Sequence, residues 1–259
     1  MTAALDPLRP SSTVVDGTTR PLVAAAVGLV ALLSALGPGP VGWAAGAGYG
    51  AALIVLLAGA ARRAGAVALG PADLVTLSRA VLIGGVAALV ADHLATGAAP
   101  VWLLVPVASV ALALDFVDGK VARHTGTVSA LGARFDMEVD AVAVLVLSVY
   151  AATLLGPWTL AIGAMRYAYV GASWLLPWLR GSLPTRWSAK VVAAVQGIAL
   201  VVAISGVLPV AASIAIVAVA LALLTWSFGQ SVGWLWRHRP VPSGRGDAGP
   251  VVPAPRVAP

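Results

Sequence analysis

Four aspartates carry the chemistry that is easiest to read in this chain. Asp115 and Asp118 lie three residues apart, and Asp136 and Asp140 four apart. On a helix, each pair shares a face. Between the pairs stand Gly119, Arg123, Gly126 and Gly132 without a long apolar run, so the chain can turn back and aim four carboxylates at one place. Four like charges that close repel, and they stay ionised together only with cations among them. Hard divalent ions such as Mg²⁺ or Mn²⁺ take oxygen ligands and favour carboxylates together with phosphates. The matching chemistry is phosphoryl-group transfer at a two-metal site. Glu138 lies two residues from either Asp136 or Asp140, so on a helix it faces away from both. There is no cysteine, and the three histidines (His93, His124, His238) are scattered, which excludes thiolate chemistry and argues against a zinc site.

The elements that position these acids follow from composition. Hydrophobic residues make up 60% of the chain and charged residues 10%, with a mean hydropathy of +0.95. Soluble domains carry about 25% charged residues, so the chain reads as an integral membrane protein, all α and polytopic. The formal net charge is +6, but the basic residues do not form one patch, which speaks against nucleic acid as a partner. They sit at the ends of apolar runs, as the positive-inside bias requires. Residues 1–20 read as a polar cytoplasmic tail. Two apolar runs follow, Pro21–Leu36 and Val41–Ala61, the second closed by Arg62 and Arg63. Further runs start at Leu74, Val101, Val139, Trp158, Lys190 and Pro209, giving eight spans; residues 240–259 are Pro/Gly-rich and read as a disordered tail. This arrangement puts both termini and the acids on the cytoplasmic side, and the four outer loops carry no Lys or Arg. The domain plan is a tail over 1–20, two additional helices over 21–63, a catalytic membrane domain over 71–236, and a tail over 240–259.

The acidic stretch resembles the signature of the CDP-alcohol phosphotransferase family: D-x2-D-G-x2-A-R, eight residues, then G-x3-D-x3-D. Asp115, Asp118, Gly119, Ala122, Arg123, Gly132, Asp136 and Asp140 fill every fixed position with the right gaps. The resemblance implies a six-helix core, to which the first two apolar segments look like an addition. It implies transfer of a phosphoalcohol, most often phosphatidyl, from a CDP-linked lipid donor to an alcohol acceptor, with release of CMP. It implies two Mg²⁺ or Mn²⁺ ions held by the four aspartates, with Asp140 taking the proton of the acceptor hydroxyl. It places the nucleotide against Gly119, Ala122, Arg123 and Gly132, and it implies a homodimer.

Other residues are open to two readings. Asp73, Thr76 and Arg79 recur every three residues at the start of the third run. They read either as an interfacial turn with a snorkelling arginine, or, by likeness to a P-N-x-L-T-x-x-R pattern in the family, as a nucleotide-side role for Asp73 or Thr76. Arg166, inside an apolar run, favours a cavity. Arg180, Arg186 and Lys190 read either as positive-inside anchors or as a pocket for an anionic acceptor. Lys190 and Gln196 also resemble a family pattern on the fifth core helix. Two rivals share some of these features. A UbiA-like prenyltransferase puts its acidic motifs on well-separated helices and lacks G-x-x-A-R. A divalent-cation transporter needs acids along a path near mid-membrane, where this chain has almost none.

Overall fold

The computed structural model describes residues 12–66, 68–98, 100–125, 129–181 and 187–239; the side chains of residues 12–16, Asp118, Ala122, Arg123, Thr125 and Trp187 lie outside that description. Among the described residues there is no strand. The described residues form eight α-helices in order: α1 (Ser12–Leu36), α2 (Pro40–Ala64), α3 (Pro71–Thr96), α4 (Val101–Thr125), α5 (Ala130–Leu155), α6 (Leu160–Leu175), α7 (Trp187–Ile204) and α8 (Val210–Arg237). Six of them (α1 to α5, and α8) are long and apolar enough to cross a membrane. The protein is thus an all-α polytopic membrane protein.

One span is shorter than the sequence led one to expect. The run from Trp158 to Leu179 is broken into a 3₁₀ turn (Pro157–Thr159), a 16-residue α6, and a second 3₁₀ turn (Pro177–Arg180). Pro177 ends α6: its ring excludes a helical conformation at Leu176, which stands at φ −122°, ψ 84°. Sixteen residues rise ~24 Å, less than a hydrocarbon core of about 30 Å. The apolar part of α7 is also short, Ser188–Ile204. At the other end of the chain, α1 begins at Ser12 rather than Pro21, so helix extends through residues 12–20. Once the apolar run has nucleated a helix, extending it costs little per residue.

Helix α3 lies at the centre, packed by α1, α2, α4 and α5. It is the most buried of the long helices. Helix α2 meets α3 and α1 through a stripe of glycines at four-residue spacing, Gly42, Gly46 and Gly50, all buried. A Cβ at Gly42 would meet the Ala88 carbonyl oxygen at 2.7 Å, and one at Gly46 would meet Leu33 Cδ1 at 2.8 Å. Small residues at such a seam let helix backbones approach closely, which is how helices adhere where lipid is as apolar as the side chains. One apolar cluster joins α1, α2 and α5 to α3 through Leu22, Leu57, Leu77, Ile83, Phe135 and Val139. A second joins α3, α4, α5 and the α7–α8 hairpin through Val86, Leu104, Leu147, Tyr150, Leu200 and Val217. The two clusters hold the α4 and α5 ends that carry the acids against the start of α3.

Candidate active site

Helix α4 runs unbroken past Leu114 to Thr125, carrying Asp115 into its last turns. Helix α5 starts at Ala130, where Ser129 caps it: its Oγ accepts the Gly132 N–H at 2.8 Å. The cap satisfies one of the orphan donors of the first turn and fixes where the helix begins. Asp136 and Asp140 then follow on successive turns. Carboxylate oxygens of Asp115, Asp136 and Asp140 lie within 4.8 Å of one another, each residue half-buried. The Asp118 side chain lies outside the described residues, as do those of Ala122 and Arg123 and all of Arg186.

Among these acids sits Arg79 of α3, only 2% exposed. Its Nε donates to the Ala111 carbonyl at 3.3 Å, and one terminal nitrogen donates to Asp136 Oδ1 at 2.5 Å. The other terminal nitrogen donates to Asp140 Oδ1 and lies 3.0 Å from Asp115 Oδ1. Arg79 therefore does not snorkel, and that reading is corrected. A guanidinium has five donors in a planar fork, so it can meet three carboxylates and the Ala111 carbonyl at once, one partner more than the three donors of an ammonium serve. Its absence from the sequence-based candidates has a clear cause: nothing local pairs Arg79 with acids far along the chain. The usable signal was its helical phase with Asp73 and Thr76, which puts all three on one face of α3.

Asp73 and Thr76 are buried. The Asp73 carboxylate accepts the Gly70 N–H at 2.9 Å, and Thr76 Oγ1 donates to the Ala72 carbonyl at 3.2 Å. Asp73 also abuts α5: a Cβ at Gly132 would overlap Asp73 Oδ1 and stand 3.0 Å from Ser129 Oγ. The glycine thus lets the N-terminal ends of α3 and α5 touch. Two candidate nucleotide residues, distant in sequence, are neighbours here. Gly119 stands on α4 one turn beyond Asp115, half-buried.

A groove of about 550 Å³ opens beside the acids, walled by α4, α5, α6, α7 and α8. Asp115, Asp136, Asp140, Arg166, Lys190 and Gln196 all line it, with Phe116, Met137 and Phe228 among its apolar surfaces. Arg166 donates to Glu138 Oε1 at 2.5 Å, and its Nε is buried without a hydrogen-bond partner among the described residues. Gln196 donates to the Val192 and Ala220 carbonyls at 3.1 and 3.0 Å, tying α7 to α8. Arg180 is not in the groove: its Nε donates to the Ser173 carbonyl at 3.0 Å on an exposed turn.

Three carboxylates face one guanidinium among the described groups, so negative charge is left in excess. Their oxygen-only donor set and half-buried placement suit a hard cation, so the residues present fit Mg²⁺ or Mn²⁺. The fold and this site define a polytopic membrane protein with an acid-lined groove between its helices. A family model, CDP-alcohol phosphatidyltransferase, matches residues 69–226. That match covers more than half of the chain, and the chain belongs to this family; helices α1 and α2 fall outside the match. The comparisons with curated proteins and with solved structures returned no match. The family is generally dependent on divalent cations, and its members use a CDP-alcohol donor and an alcohol acceptor.

Proposed function

We propose that this protein transfers a phosphoalcohol group, phosphatidyl in the reading favoured here, from a CDP-linked lipid donor to an alcohol acceptor, releasing CMP in phospholipid biosynthesis. The observation that carries this reading is the convergence of Asp115, Asp136 and Asp140 on the wall of a groove that also holds Arg166 and Lys190, in a chain of this family. Asp115, Asp118, Asp136 and Asp140 would hold two Mg²⁺ or Mn²⁺ ions. Bound there, the ions would neutralise the donor diphosphate and the charge that develops on departing CMP.

The chain's own groups do the rest. Gly119, Ala122 and Arg123 receive the cytidine diphosphate, with the arginine offering planar donors to phosphate. Gly132, Asp73 and Thr76, at the contact of α3 with α5, complete the nucleotide side of the site. Asp140 lies one turn further along α5 than Asp136. Its carboxylate accepts the proton of the acceptor hydroxyl, whose oxygen bonds to the phosphorus bearing the alcohol. The bond from that phosphorus to the bridging oxygen breaks, and CMP leaves with the electron pair. Arg166 and Lys190 orient an acceptor that is itself anionic; Arg180 and Arg186 serve as anchors at the membrane edge. The site and both termini face the cytoplasm, since Lys and Arg flank that side of the spans. Residues 71–236 form the catalytic unit, and the working protein is a homodimer.

The decisive experiment uses purified protein in detergent, a labelled CDP-diacylglycerol and a panel of alcohols. CMP release that requires both an acceptor and Mg²⁺ or Mn²⁺, and that stops with chelator, supports the proposal. Full turnover in chelator would overturn the metal assignment. Consumption of a prenyl diphosphate with no CMP from any CDP-alcohol would overturn the reaction itself.

A further inference from the structure

A second groove, about 730 Å³, lies on the opposite side of α5 from the acids, between α5 and the added helix α2. Its walls are apolar, with Leu53 and Leu57 from α2 facing Phe135 and Val142 from α5. Two arginines, Arg63 and Arg134, close one end. Both are exposed, and neither has a hydrogen bond or ion pair among the described residues. The Arg63 guanidinium lies back over Gly59, 3.8 Å from where a Cβ would stand, and so stays beside the groove. The one acid in the lining, Glu138, is already matched by Arg166.

From this geometry we infer a binding site for an anionic phospholipid of the surrounding membrane, separate from the transfer site. The dimensions fit. Residues 53 to 63 of α2 rise ~15 Å, about half of a hydrocarbon core of roughly 30 Å, which is the depth of one leaflet. An acyl chain lies along the leucines, and the phosphate meets the two arginines at the membrane edge, where basic residues between helices attract anionic head groups. A zwitterionic lipid fills the oil-lined part equally well but brings no net charge to the guanidinium pair. A second copy of the chain is a poorer occupant. A two-fold interface sets a patch against itself, so the facing copy would offer Arg63 and Arg134 no acid of the lining beyond Glu138, which Arg166 already holds. Because α2 lies outside the family match, this site exists only where an added helix packs beside the family core. It depends on no step of the transfer reaction.

The test is native mass spectrometry of full-length protein in neutral detergent, titrated with phosphatidylglycerol or phosphatidylcholine. Two arginines at about 5-fold each predict a ~25-fold preference for phosphatidylglycerol in the wild type. The double variant Arg63→Gln/Arg134→Gln loses the preference, and Arg63→Lys/Arg134→Lys keeps most of it. Leu56→Trp, which fills the groove from an exposed position, weakens binding of both lipids. Asp136→Asn leaves the preference intact, which keeps the result apart from any failure at the transfer site. Equal binding of the two lipids by the wild type, or an undiminished preference in the Gln pair, overturns the inference. So does loss of the preference in Asp136→Asn, or a dimer that dissociates in the Gln pair while lipid binding is unchanged.

Discussion

Replacing Arg79 by Gln should make the stability of this protein depend on metal. The substitution withdraws a guanidinium from three carboxylates at once. Breaking a buried ionic network by removing one partner costs about 3–5 kcal/mol. Here Arg79 is buried, but Asp136 and Asp140 are 38% and 44% exposed, so water screens part of the loss. A cost of about 2–3 kcal/mol is the better figure, or roughly 4–12 °C in melting temperature at this chain length. Both proteins bind the cation, so it closes the gap only through tighter binding by the variant: a hundredfold lower Kd is worth ~2.7 kcal/mol. Wild type and Arg79→Gln should therefore melt far apart in chelator and nearly together in saturating Mg²⁺. The variant should also bind the ion more tightly, because a competing positive charge is gone. Tryptophan-fluorescence melts in detergent measure both effects, and the nine tryptophans give ample signal. An equal gap in chelator and in Mg²⁺ would show that Arg79 serves the fold without sharing the ion's ligands. No gap in either would refute the ionic network.

Asp140→Asn keeps the side-chain shape but removes a base, so turnover should fall by about 10²- to 10⁴-fold, with donor binding retained in an equilibrium assay; unchanged turnover would assign the proton elsewhere. Gly132→Val puts branched carbon into the space of Asp73 and should weaken CDP-alcohol binding, while circular dichroism still reports a helical protein. Lys190→Gln should raise KM for an anionic acceptor several-fold and leave KM for the CDP-linked donor alone; equal changes in both would place Lys190 outside the acceptor site. The natural chain has no cysteine, so single cysteines report topology cleanly. Ala130→Cys, which spares the Ser129 cap, should be labelled from the cytoplasmic side only and Thr96→Cys from the other; the reverse pattern would invert the span assignment.

The acids were legible because their spacing is local. Asp136 and Asp140 need only helical geometry to share a face, and the capped start of α5 supplies it. The membrane class was legible because it rests on composition. What the sequence concealed depends on contacts between distant segments. Arg79 gains its meaning from acids on α4 and α5, and in one dimension it looks like any arginine near a helix end. The contact of Gly132 with Asp73 is hidden for the same reason, although each residue was a candidate alone. The break at α6 could have been read, since Pro177 and the restriction it places on Leu176 were in view; the apolar count hid it. The second groove had no sequence signal, because it exists only where α2 packs beside α5.

The position of Arg79 also bears on how the chain enters the membrane. Helix α3 is synthesised before the acids at 115, 136 and 140 exist, so the nascent protein holds a guanidinium in its third span with no carboxylate to meet it. An arginine at the centre of an inserting helix costs about 2.5–3.5 kcal/mol on translocon scales, and Arg79, in the third turn of α3, meets part of that cost. The glycine stripe of α2 gives α3 a partner that is already made. Seated there through Gly42 and Gly46, α3 can wait for α4 and α5, and the arrival of their acids completes the bundle. The two added helices would then act as an internal template for biogenesis, and their deletion would be felt first as failed insertion and degradation of new chains.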